Sequence, residues 1–322
     1  MQKIKISTFY RFSNIPAEGL TQWKSELERF AKKHSVRGLV ILGEEGINTT
    51  FCGLEPDVEA MKKFFQSIPG FANLSFKDSY AEAPPFRRFK VQIRKEIVTL
   101  NRCDISDPNE EDTSHLSAED WHKVLTSEKD YLLIDTRNWY ETEIGKFKGA
   151  VVPDISEFTE FPKWLEENHV PKDKKILVYC TGGIRCEKGL PAMKSSGYQN
   201  VFQLKDGILR YLEKFPNGEF EGECFVFDHR VAVDQNLAPS TTFDLCPHCG
   251  QPAKDEIVCV KCDSTAKVCS KCLAKAKRYA TCSKNCAHHY DLKPHTKIKP
   301  HTNHVSEYRK LKKKEQSSAR SS

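Results

Sequence analysis

The spacing of apolar residues over the first hundred positions changes repeatedly between the period of a strand and that of a helix. Positions 5–12 alternate polar and apolar residues, and apolar runs at 36–42 and 47–52 flank a Gly-Glu-Glu-Gly turn, which predicts three strands, the last two forming a hairpin. A final long strand is predicted over 88–100. Two helical stripes lie between these strands, and their apolar positions are Leu20, Trp23, Leu27 and Phe30, then Val58, Met61, Phe64 and Phe65. The order strand, helix, strand, strand, helix, strand predicts a ferredoxin-like α+β sandwich over residues 1–100.

The pattern after residue 115 alternates strictly between strands and helices. Ser117 precedes two acidic residues, as a helix cap does, and a helix is predicted to follow it. Strands are predicted at 131–135, 176–179 and 200–204. Three helices are predicted between and after them: one at 161–169, one that ends at Ser195 and one that begins at Gly207. This alternation predicts an α/β domain with a mainly parallel sheet over residues 116–222, and active loops in such sheets follow the carboxyl ends of strands. An acidic, turn-rich linker, residues 101–115, separates it from the first domain, and a connecting segment, 223–245, follows it.

Composition limits the class of protein. A chain of 322 residues with 39% hydrophobic and 29% charged residues can form two or three domains with real cores. No apolar stretch approaches the roughly 18 residues of a membrane span, and the first twelve residues do not resemble a signal peptide, so we expect a cytoplasmic protein that does not bind membranes. In that compartment the thirteen cysteines favour metal binding or catalysis over disulfides.

Positive charge is concentrated in two places. Residues 287–322 carry nine Lys or Arg residues against three acidic ones, which accounts for the net charge of +6. The tail over 291–322, including 310–314, is predicted to be flexible. Its positive charge fits either binding to a polyanion such as RNA or a role in keeping the protein soluble. Basic residues also alternate with Phe86 and Phe89 near the last predicted strand, which suggests RNA backbone binding and base stacking, although a solvated strand face fits equally well. These RNA-binding candidates are Arg87, Arg88, Lys90, Arg94 and Lys95.

A cysteine follows the most apolar predicted strand. Ile176–Tyr179 ends at Cys180, and two glycines and Arg185 come next, before a predicted helix. Glycines let backbone N–H groups turn toward the sulfur, and an arginine and a helix N-terminus add positive potential, so the position favours a thiolate, a persulfide or a bound anion. The alternative is that Cys180 is a small buried apolar residue.

The segment from Cys180 to Arg185 resembles the six-residue active loop of a rhodanese domain. Its other members are Thr181, Gly182, Gly183 and Ile184. The resemblance extends from about 116 to 220 through Lys148-Gly149-Ala150 and Leu204-Lys205-Asp206-Gly207-Ile208, and it includes Asp135-Thr136-Arg137. Related phosphatases use a loop one residue longer, so the shorter loop here favours binding of a group the size of a sulfur atom over binding of a phosphate. We expect Asp135 and Arg137 to brace the loop from beneath, because buried charges are usually paired. Cys186 is either a second reactive thiol or a packed residue of the helix.

Close cysteine pairs follow one another near the carboxyl end. They are Cys246 and Cys249, Cys259 and Cys262, Cys269 and Cys272, and Cys282 and Cys286. Eight thiols in four pairs are what two tetrahedral Zn²⁺ sites require, so we predict a zinc-stabilised module over 246–290. The spacing leaves open whether neighbouring pairs combine or interleave. A histidine could replace one thiol, and the histidines nearby are His288, His289, His295, His301 and His304.

The order of these motifs along the chain resembles the bacterial tRNA uridine hydroxylase family. The resemblance rests on Gly43–Asn48, Arg94–Val98, Tyr179–Glu187, Phe225–Asp228 and the cysteine-rich end. It implies oxygen-dependent 5-hydroxylation of the wobble uridine of tRNA, with Cys180 essential. We predict that the basic residues around 87–94 and the zinc-stabilised end bind the anticodon arm through its phosphates. We see no flavin, haem or nicotinamide site.

Two other functions stay open at this point. The loop alone indicates sulfur chemistry, so a sulfurtransferase with a persulfide on Cys180 is one alternative. A zinc-containing adaptor with a vestigial rhodanese domain is the other, although the intact Cys180 and Arg185 argue against it. Our mechanistic hypothesis is that the Cys180 sulfur adds to C6 of the uracil ring and makes C5 electron-rich.

Overall fold

The computed structural model describes residues 3–102 and 114–299. The chain divides into two compact units, with the division between Ser240 and Thr241. Most of the predicted acidic linker and the basic tail from residue 300 onward lie outside the described residues. No helix among the described residues is long and apolar enough to cross a membrane.

The first part of the larger unit is a five-stranded sheet with two helices. Its elements are β1 (Ile4–Phe12), α1 (Ala17–Lys33), β2 (Arg37–Gly43), β3 (Gly46–Gly53), α2 (Glu55–Gln66), β4 (Lys77–Ala81) and β5 (Phe89–Ile93). The strand order is β4-β1-β3-β2-β5. The inward positions of the strands, such as Phe9 and Phe51, pack with Leu27, Met61 and Phe65 of the helices in one core. The other face of this sheet is therefore left to the rest of the unit.

The prediction of one long strand over 88–100 is wrong. β4 at 77–81 closes the four-stranded antiparallel set by pairing with β1, and it was missed because Asp78, Ser79 and Tyr80 are not apolar. The later segment forms only the short β5, which pairs in parallel with β2 on the opposite edge. Residues 94–100 leave the sheet because side chains of Glu45 and Asn48 hydrogen-bond their backbone at Ile97.

The second part of the larger unit is an α/β layer. Its elements are β6 (His115–Leu116), α3 (Ala118–Ser127), β7 (Leu132–Asp135), α4 (Trp139–Thr142), β8 (Gly145–Phe147), α5 (Phe161–Glu167), β9 (Ile176–Tyr179), α6 (Ile184–Ser195), β10 (Val201–Leu204), α7 (Gly207–Lys214), β11 (Phe220–Gly222), β12 (Cys224–Phe225) and β13 (Ala232–Val233). The main sheet has the order β6-β10-β9-β7 and is parallel throughout, as predicted. Ser117 caps α3 by accepting a hydrogen bond from the Asp120 backbone N–H at 3.0 Å.

Strand β9 is central in this sheet. All four of its residues are buried, and it is covered by separate apolar clusters on its two faces. A continuous apolar run is what a parallel strand buried on both faces requires. The loop after β9 therefore starts from the most firmly held strand of the sheet.

The smaller unit is built from short elements around cysteines. They are β14 (Asp244–Leu245), β15 (Pro252–Ala253), β16 (Glu256–Val258), β17 (Thr265–Lys267), α8 (Ser270–Leu273) and α9 (Lys284–Leu292). Two hairpins, β14 with β15 and β16 with β17, precede the helices. Its core contains few apolar side chains besides the cysteines themselves.

Candidate active site

Cys180 lies at the turn between β9 and α6. The residue is 1% exposed, and the backbone N–H of Gly183 points at its Sγ, with 3.1 Å between the two atoms. The backbone of the turn is also tied to the next loop, because Ile208 N–H donates to the Cys180 carbonyl at 3.0 Å. The thiol is thus held in one position by a rigid strand and by a curled loop.

The surroundings favour the thiolate form of Cys180. Burial by itself raises the pKa of the thiol, but a hydrogen bond from Cys186, the positive charge of Arg185 and backbone N–H groups of residues 185 and 186 outweigh it and lower the pKa to about 6. Burial and the neighbouring Cys180 sulfur raise the pKa of Cys186 well above its usual value, so Cys186 stays a neutral donor. At neutral pH the site therefore holds one nucleophilic sulfur and one protonated thiol.

Arg185 is buried against a carboxylate. It is 7% exposed, its Nη2 donates to Glu141 Oε1 at 2.9 Å and lies 2.8 Å from Oε2, and Glu141 is fully buried. The guanidinium carbon lies 5.5 Å from the ring centre of Phe227, which adds a cation–π contact. The other terminal nitrogen, Nη1, is buried without a hydrogen-bond partner among the described residues. The site thus has a fixed positive group with unused donor capacity.

Of the two glycines in the loop, Gly183 is the one that the conformation requires. Its φ is +98°, and a Cβ there would lie 2.7 Å from the Tyr10 hydroxyl and 3.3 Å from the Asp206 backbone. Gly182 has no positive φ, and a Cβ at that position would meet nothing within 4 Å. The expectation that both glycines let the loop curl therefore applies to Gly183 alone.

A cavity of about 350 Å³ opens above the Cys180 loop. One wall consists of Cys180, Thr181, Gly182, Ile184 and Arg185, and the remainder of this wall comes from residues 209–237. The facing wall is the open face of the first sheet. Its lining side chains include Ile6, Thr8, Tyr10, Leu39, Ile41, Asn48 and Thr50. The cavity has the size of a small-molecule pocket, with an apolar floor and a few polar groups.

Tyr10 connects the two walls. Its hydroxyl donates to Oε1 of Glu187, on α6, at 2.8 Å, and the other oxygen, Oε2, lies 3.0 Å from Nε2 of His115. Lys77 lies above the Tyr10 ring, 5.0 Å from its centre, and pairs with Asp206 at 2.8 Å. Burial, followed by the Glu187 charge, raises the Tyr10 pKa well above its usual value.

The acidic turn of the first sheet holds α6 in place. Lys188, on α6, lies 2.8 Å from Glu45 and 2.6 Å from Glu96. Glu45 also accepts a hydrogen bond from Ile97 N–H at 2.5 Å, and Asn48 Nδ2 donates to the Ile97 carbonyl at 3.1 Å. These contacts join the Gly43–Asn48 turn, the 94–98 segment and the helix that follows Cys180, which gives the paired acids a structural explanation.

Asp135 and Arg137 form a fully buried pair away from the cavity lining. Arg137 Nε donates to Asp135 Oδ1 at 2.9 Å and Nη2 to Oδ2 at 2.7 Å, while Nη2 also reaches the Gly145 carbonyl at 2.7 Å. Between them in sequence, Thr136 Oγ1 donates to the Tyr179 carbonyl at 2.9 Å and lies 3.7 Å from Cys186 Sγ. Asp135 and Arg137 thus hold each other and the Gly145 carbonyl, and their bracing role beneath the loop stays a prediction.

The five basic RNA-binding candidates are all exposed, but they lie in different places. Arg94 lines the cavity, whereas Arg87 and Arg88 line a separate groove of about 450 Å³ together with Lys32 and Arg37. Lys90 and Lys95 line neither. The lining of the separate groove also contains one acidic residue, Glu28. None of its four basic residues forms an ion pair with another described residue, so this groove, called the basic groove below, has a net positive charge.

The eight cysteines of the smaller unit form two groups of four. Cys246 and Cys249 join Cys269 and Cys272, and Cys259 and Cys262 join Cys282 and Cys286. Within each group the sulfur atoms lie within 4.8 Å of one another, so each group could hold a metal ion. The pairs therefore interleave. Both groups consist of thiols alone, so the idea that a histidine replaces a thiol is wrong for the described residues.

Several site residues were missed from the sequence. Glu141 was not predicted, although Asn138-x-x-Glu141 is a capping-box pattern and Glu141 Oε2 accepts a hydrogen bond from the Asn138 backbone N–H at 3.2 Å. Tyr10 was read only as part of an alternating strand, and Glu187 only as part of a motif. No local pattern indicates that Tyr10 and Glu187, 177 positions apart, share a hydrogen bond.

Three domain families match consecutive parts of the chain. They are the UPF0176 acylphosphatase like domain over residues 4–97, the Rhodanese-like domain over 118–214 and the Rhodanase C-terminal domain over 221–287.

Curated relatives match most of the chain. A protein of Bdellovibrio bacteriovorus named tRNA uridine(34) hydroxylase is 50% identical over 291 residues, which cover 90% of this chain and 82% of that protein. A Legionella pneumophila protein of the same name is 44% identical, and the match covers 74% of this chain and 93% of that protein. A protein of the same name from Agrobacterium fabrum is 43% identical, and the match covers 78% of this chain and 80% of that protein.

Proposed function

The chain belongs to the tRNA uridine(34) hydroxylase family, and from this premise we propose that it hydroxylates uridine 34, the wobble uridine, of tRNA at C5 with molecular oxygen. The observation that carries the proposal is the position of Cys180. A sulfur with a pKa lowered to about 6 faces a cavity of about 350 Å³, which is large enough for a single base.

The chemistry that this sulfur supplies is nucleophilic addition. C6 of uracil is the electrophilic end of an unsaturated carbonyl system, so a thiolate can add there and leave C5 electron-rich enough to take one oxygen atom from O₂. The second oxygen atom is reduced to water by a two-electron donor supplied from outside this chain. Departure of the sulfur from C6 with loss of the C5 proton then restores the ring. In this scheme Cys180 is the nucleophile, the loop from Thr181 to Arg185 holds it, and Asp135 and Arg137 brace the loop.

Access to the cavity requires one base to leave its stack. Enzymes that react with a base turn it out of the helix or act on a loop, and the anticodon loop presents uridine 34 in single-stranded form. Phosphates beside that base need basic partners. Arg94, at the cavity, and the exposed residues Arg87, Arg88, Lys90 and Lys95 are our candidates for these contacts.

The two thiol groups of the smaller unit suit structural Zn²⁺. All four ligands of each group are sulfur, and closed four-thiolate sites are structural. The metal would therefore supply folding free energy to a unit with few apolar side chains.

Sulfur transfer through a Cys180 persulfide is the second candidate. It is favoured by the same loop, because N–H groups and Arg185 would stabilise a persulfide anion as well as a thiolate. It leaves unexplained why the first sheet forms half of the cavity.

Nucleoside mass spectrometry separates the two candidates. tRNA is compared between cells lacking the protein and the same cells complemented with the wild type or with Cys180→Ala. We expect 5-hydroxyuridine derivatives to disappear and to return only with the wild type. Unchanged 5-hydroxyuridine together with loss of a thiolated nucleoside would replace hydroxylation by sulfur transfer.

A further inference from the structure

Three residues from different parts of the larger unit form one hydrogen-bonded chain that starts at the cavity. Tyr10, on β1, lines the cavity and donates to Glu187 at 2.8 Å, and Glu187 meets His115 at 3.0 Å through its other oxygen. The His115 side chain is 19% exposed, so the chain of groups ends near solvent. The hydroxyl of Tyr10 also lies close to the Cys180 loop, because a Cβ on Gly183 would lie 2.7 Å from it.

The proposed reaction has a proton with no assigned acceptor. When the Cys180 sulfur leaves C6, the electron pair of the C5–H bond forms the C5–C6 double bond, the C6–S pair returns to sulfur as thiolate, and the C5 proton must go to a base. Arg185 cannot accept it, because a guanidinium stays charged. Cys186 stays a neutral thiol beside the Cys180 sulfur.

We infer that Tyr10 is a further catalytic residue, which takes the C5 proton on its hydroxyl oxygen while passing its own proton to Glu187 and on toward His115. The inference rests on the proposed uridine hydroxylation. It assigns to the first sheet a part in the chemistry, and it explains why that sheet reaches across to α6.

The arrangement suits a relay rather than a free tyrosinate. Burial and the nearby carboxylates keep Tyr10 protonated, so its oxygen can accept one proton only as it donates another. The Tyr10 proton already points at Glu187 Oε1. The charged groups around the ring are the Lys77 ammonium and its partner Asp206 on one side, and Glu187 on the other.

Isotope exchange tests the relay without oxygen. A tRNA carrying [5-³H]uridine at position 34 is incubated anaerobically with the full-length protein, and tritium released to water is counted. Reversible addition of Cys180 to C6, with proton exchange at C5, releases tritium, so we expect release with the wild type and none with Cys180→Ala.

Tyr10→Phe removes only the hydroxyl. We expect it to slow tritium release by about 10²–10⁴-fold, the usual range for a lost acid–base group, with little change in KM for the tRNA. Glu187→Gln is expected to slow it in the same direction. The control is Tyr80→Phe, on β4, whose ring is exposed and whose hydroxyl lies at Glu55, outside the cavity.

The outcomes separate the two proposals. Tritium release by Tyr10→Phe within threefold of the wild type overturns the relay while leaving hydroxylation intact. In another outcome, Tyr10→Phe loses tritium release and thermal stability to the same extent, and both are restored at lower temperature. That result makes Tyr10 a structural contact, and it also overturns the relay. If the wild type makes 5-hydroxyuridine in air but releases no tritium without oxygen, the same variants are compared by the tritium that they release in air, and release by Tyr10→Phe within threefold of the wild type again overturns the relay. A wild type that neither releases tritium nor makes 5-hydroxyuridine refutes the proposed function itself.

Discussion

Arg185 contacts Glu141 through a single nitrogen: Nη2 lies 2.9 Å from Oε1 and 2.8 Å from Oε2, while Nη1 has no partner among the described residues. A buried guanidinium normally uses its fork to hold both oxygens with two nitrogens. Here the second nitrogen is buried and unpaired, in a residue that lines the cavity. The pair therefore neutralises the arginine and leaves one of its terminal nitrogens with unused hydrogen-bond donors.

Glu141→Gln should destabilise the larger unit strongly. The substitution leaves a buried guanidinium without its counter-charge, which costs about 3–5 kcal/mol in the free energy of unfolding. Chemical denaturation measures the change. Glu143→Gln, an exposed acid at the end of the same helix, is the control and should change it by less than about 0.5 kcal/mol. Similar stability of both variants would show that the Arg185 charge is satisfied by other means.

Alkylation of Cys180 should follow a titration with its midpoint near pH 6. The thiolate is the reactive form, so the rate rises as pH passes through the lowered pKa of about 6 and is constant above it. Peptide mass spectrometry after iodoacetamide pulses separates Cys180 from Cys52, a buried thiol whose pKa burial raises to about 12.

Cys186→Ala should move the Cys180 midpoint upward. The hydrogen bond from Cys186 is the largest of the influences that lower the Cys180 pKa, and alanine removes it, whereas Cys186→Ser keeps a donor. The serine variant is therefore the matched control. A midpoint that stays near 6 in the alanine variant would assign the lowered pKa to Arg185 and the backbone.

Gly183→Ala should disable the site, whereas Gly182→Ala should fold normally. A methyl group at 183 requires a left-handed backbone and meets Tyr10 and Asp206, while one at 182 points into open space. Thermal unfolding and the Cys180 alkylation midpoint together report the difference. Equal behaviour of the two variants would mean that the loop relaxes around a side chain at 183.

The basic groove should bind RNA phosphates through Arg87 and Arg88. Replacing either by Gln should reduce the slope of log affinity against log salt concentration by about one, for any tRNA sequence. Lys163→Gln is a matched control, because Lys163 is exposed and lies on α5, away from the basic groove. An unchanged salt slope in both arginine variants would remove this groove from the RNA-binding surface.

Metal removal should unfold the smaller unit alone. The unit has few apolar side chains, and its thiols would repel one another without the ion, whereas the larger unit has extensive apolar cores. Hydrogen exchange read by mass spectrometry should show lost protection over 241–299 after chelation and unchanged protection over 114–240. Metal analysis should give two ions per chain for the wild type and fewer for Cys259→Ser, with Cys52→Ser as control. Retained protection after complete metal removal would contradict a metal-dependent fold.

The sequence predicted those parts of the molecule that local pattern determines. Apolar runs identified β9, and cap residues such as Ser117 identified helix starts, because burial and capping act on neighbouring positions. β4 was missed since its outward side chains are polar and its ion pairs, such as Lys62 with Asp78, come from another element.

The candidate active site divides in the same way. The position of Cys180 at a turn was predicted because strand, turn and helix follow one another in the sequence. The contacts of Tyr10, Glu141 and Glu187 could not be predicted, because they join segments that meet only after folding. The interleaving of the cysteine pairs was undecidable for the same reason, since either pairing satisfies the short spacing within each pair.

Interleaved thiols link the loading of one ion to the loading of the other. The chain between Cys249 and Cys269 contains Cys259 and Cys262, and the chain between Cys262 and Cys282 contains Cys269 and Cys272. The first ion to bind anchors both ends of the segment that carries half of the second ligand set. The chain that closes around the second ion is then already partly ordered, so its closure costs less entropy. Half-filled molecules should consequently be scarce during a titration, and the unit should assemble in a cooperative, nearly all-or-none step.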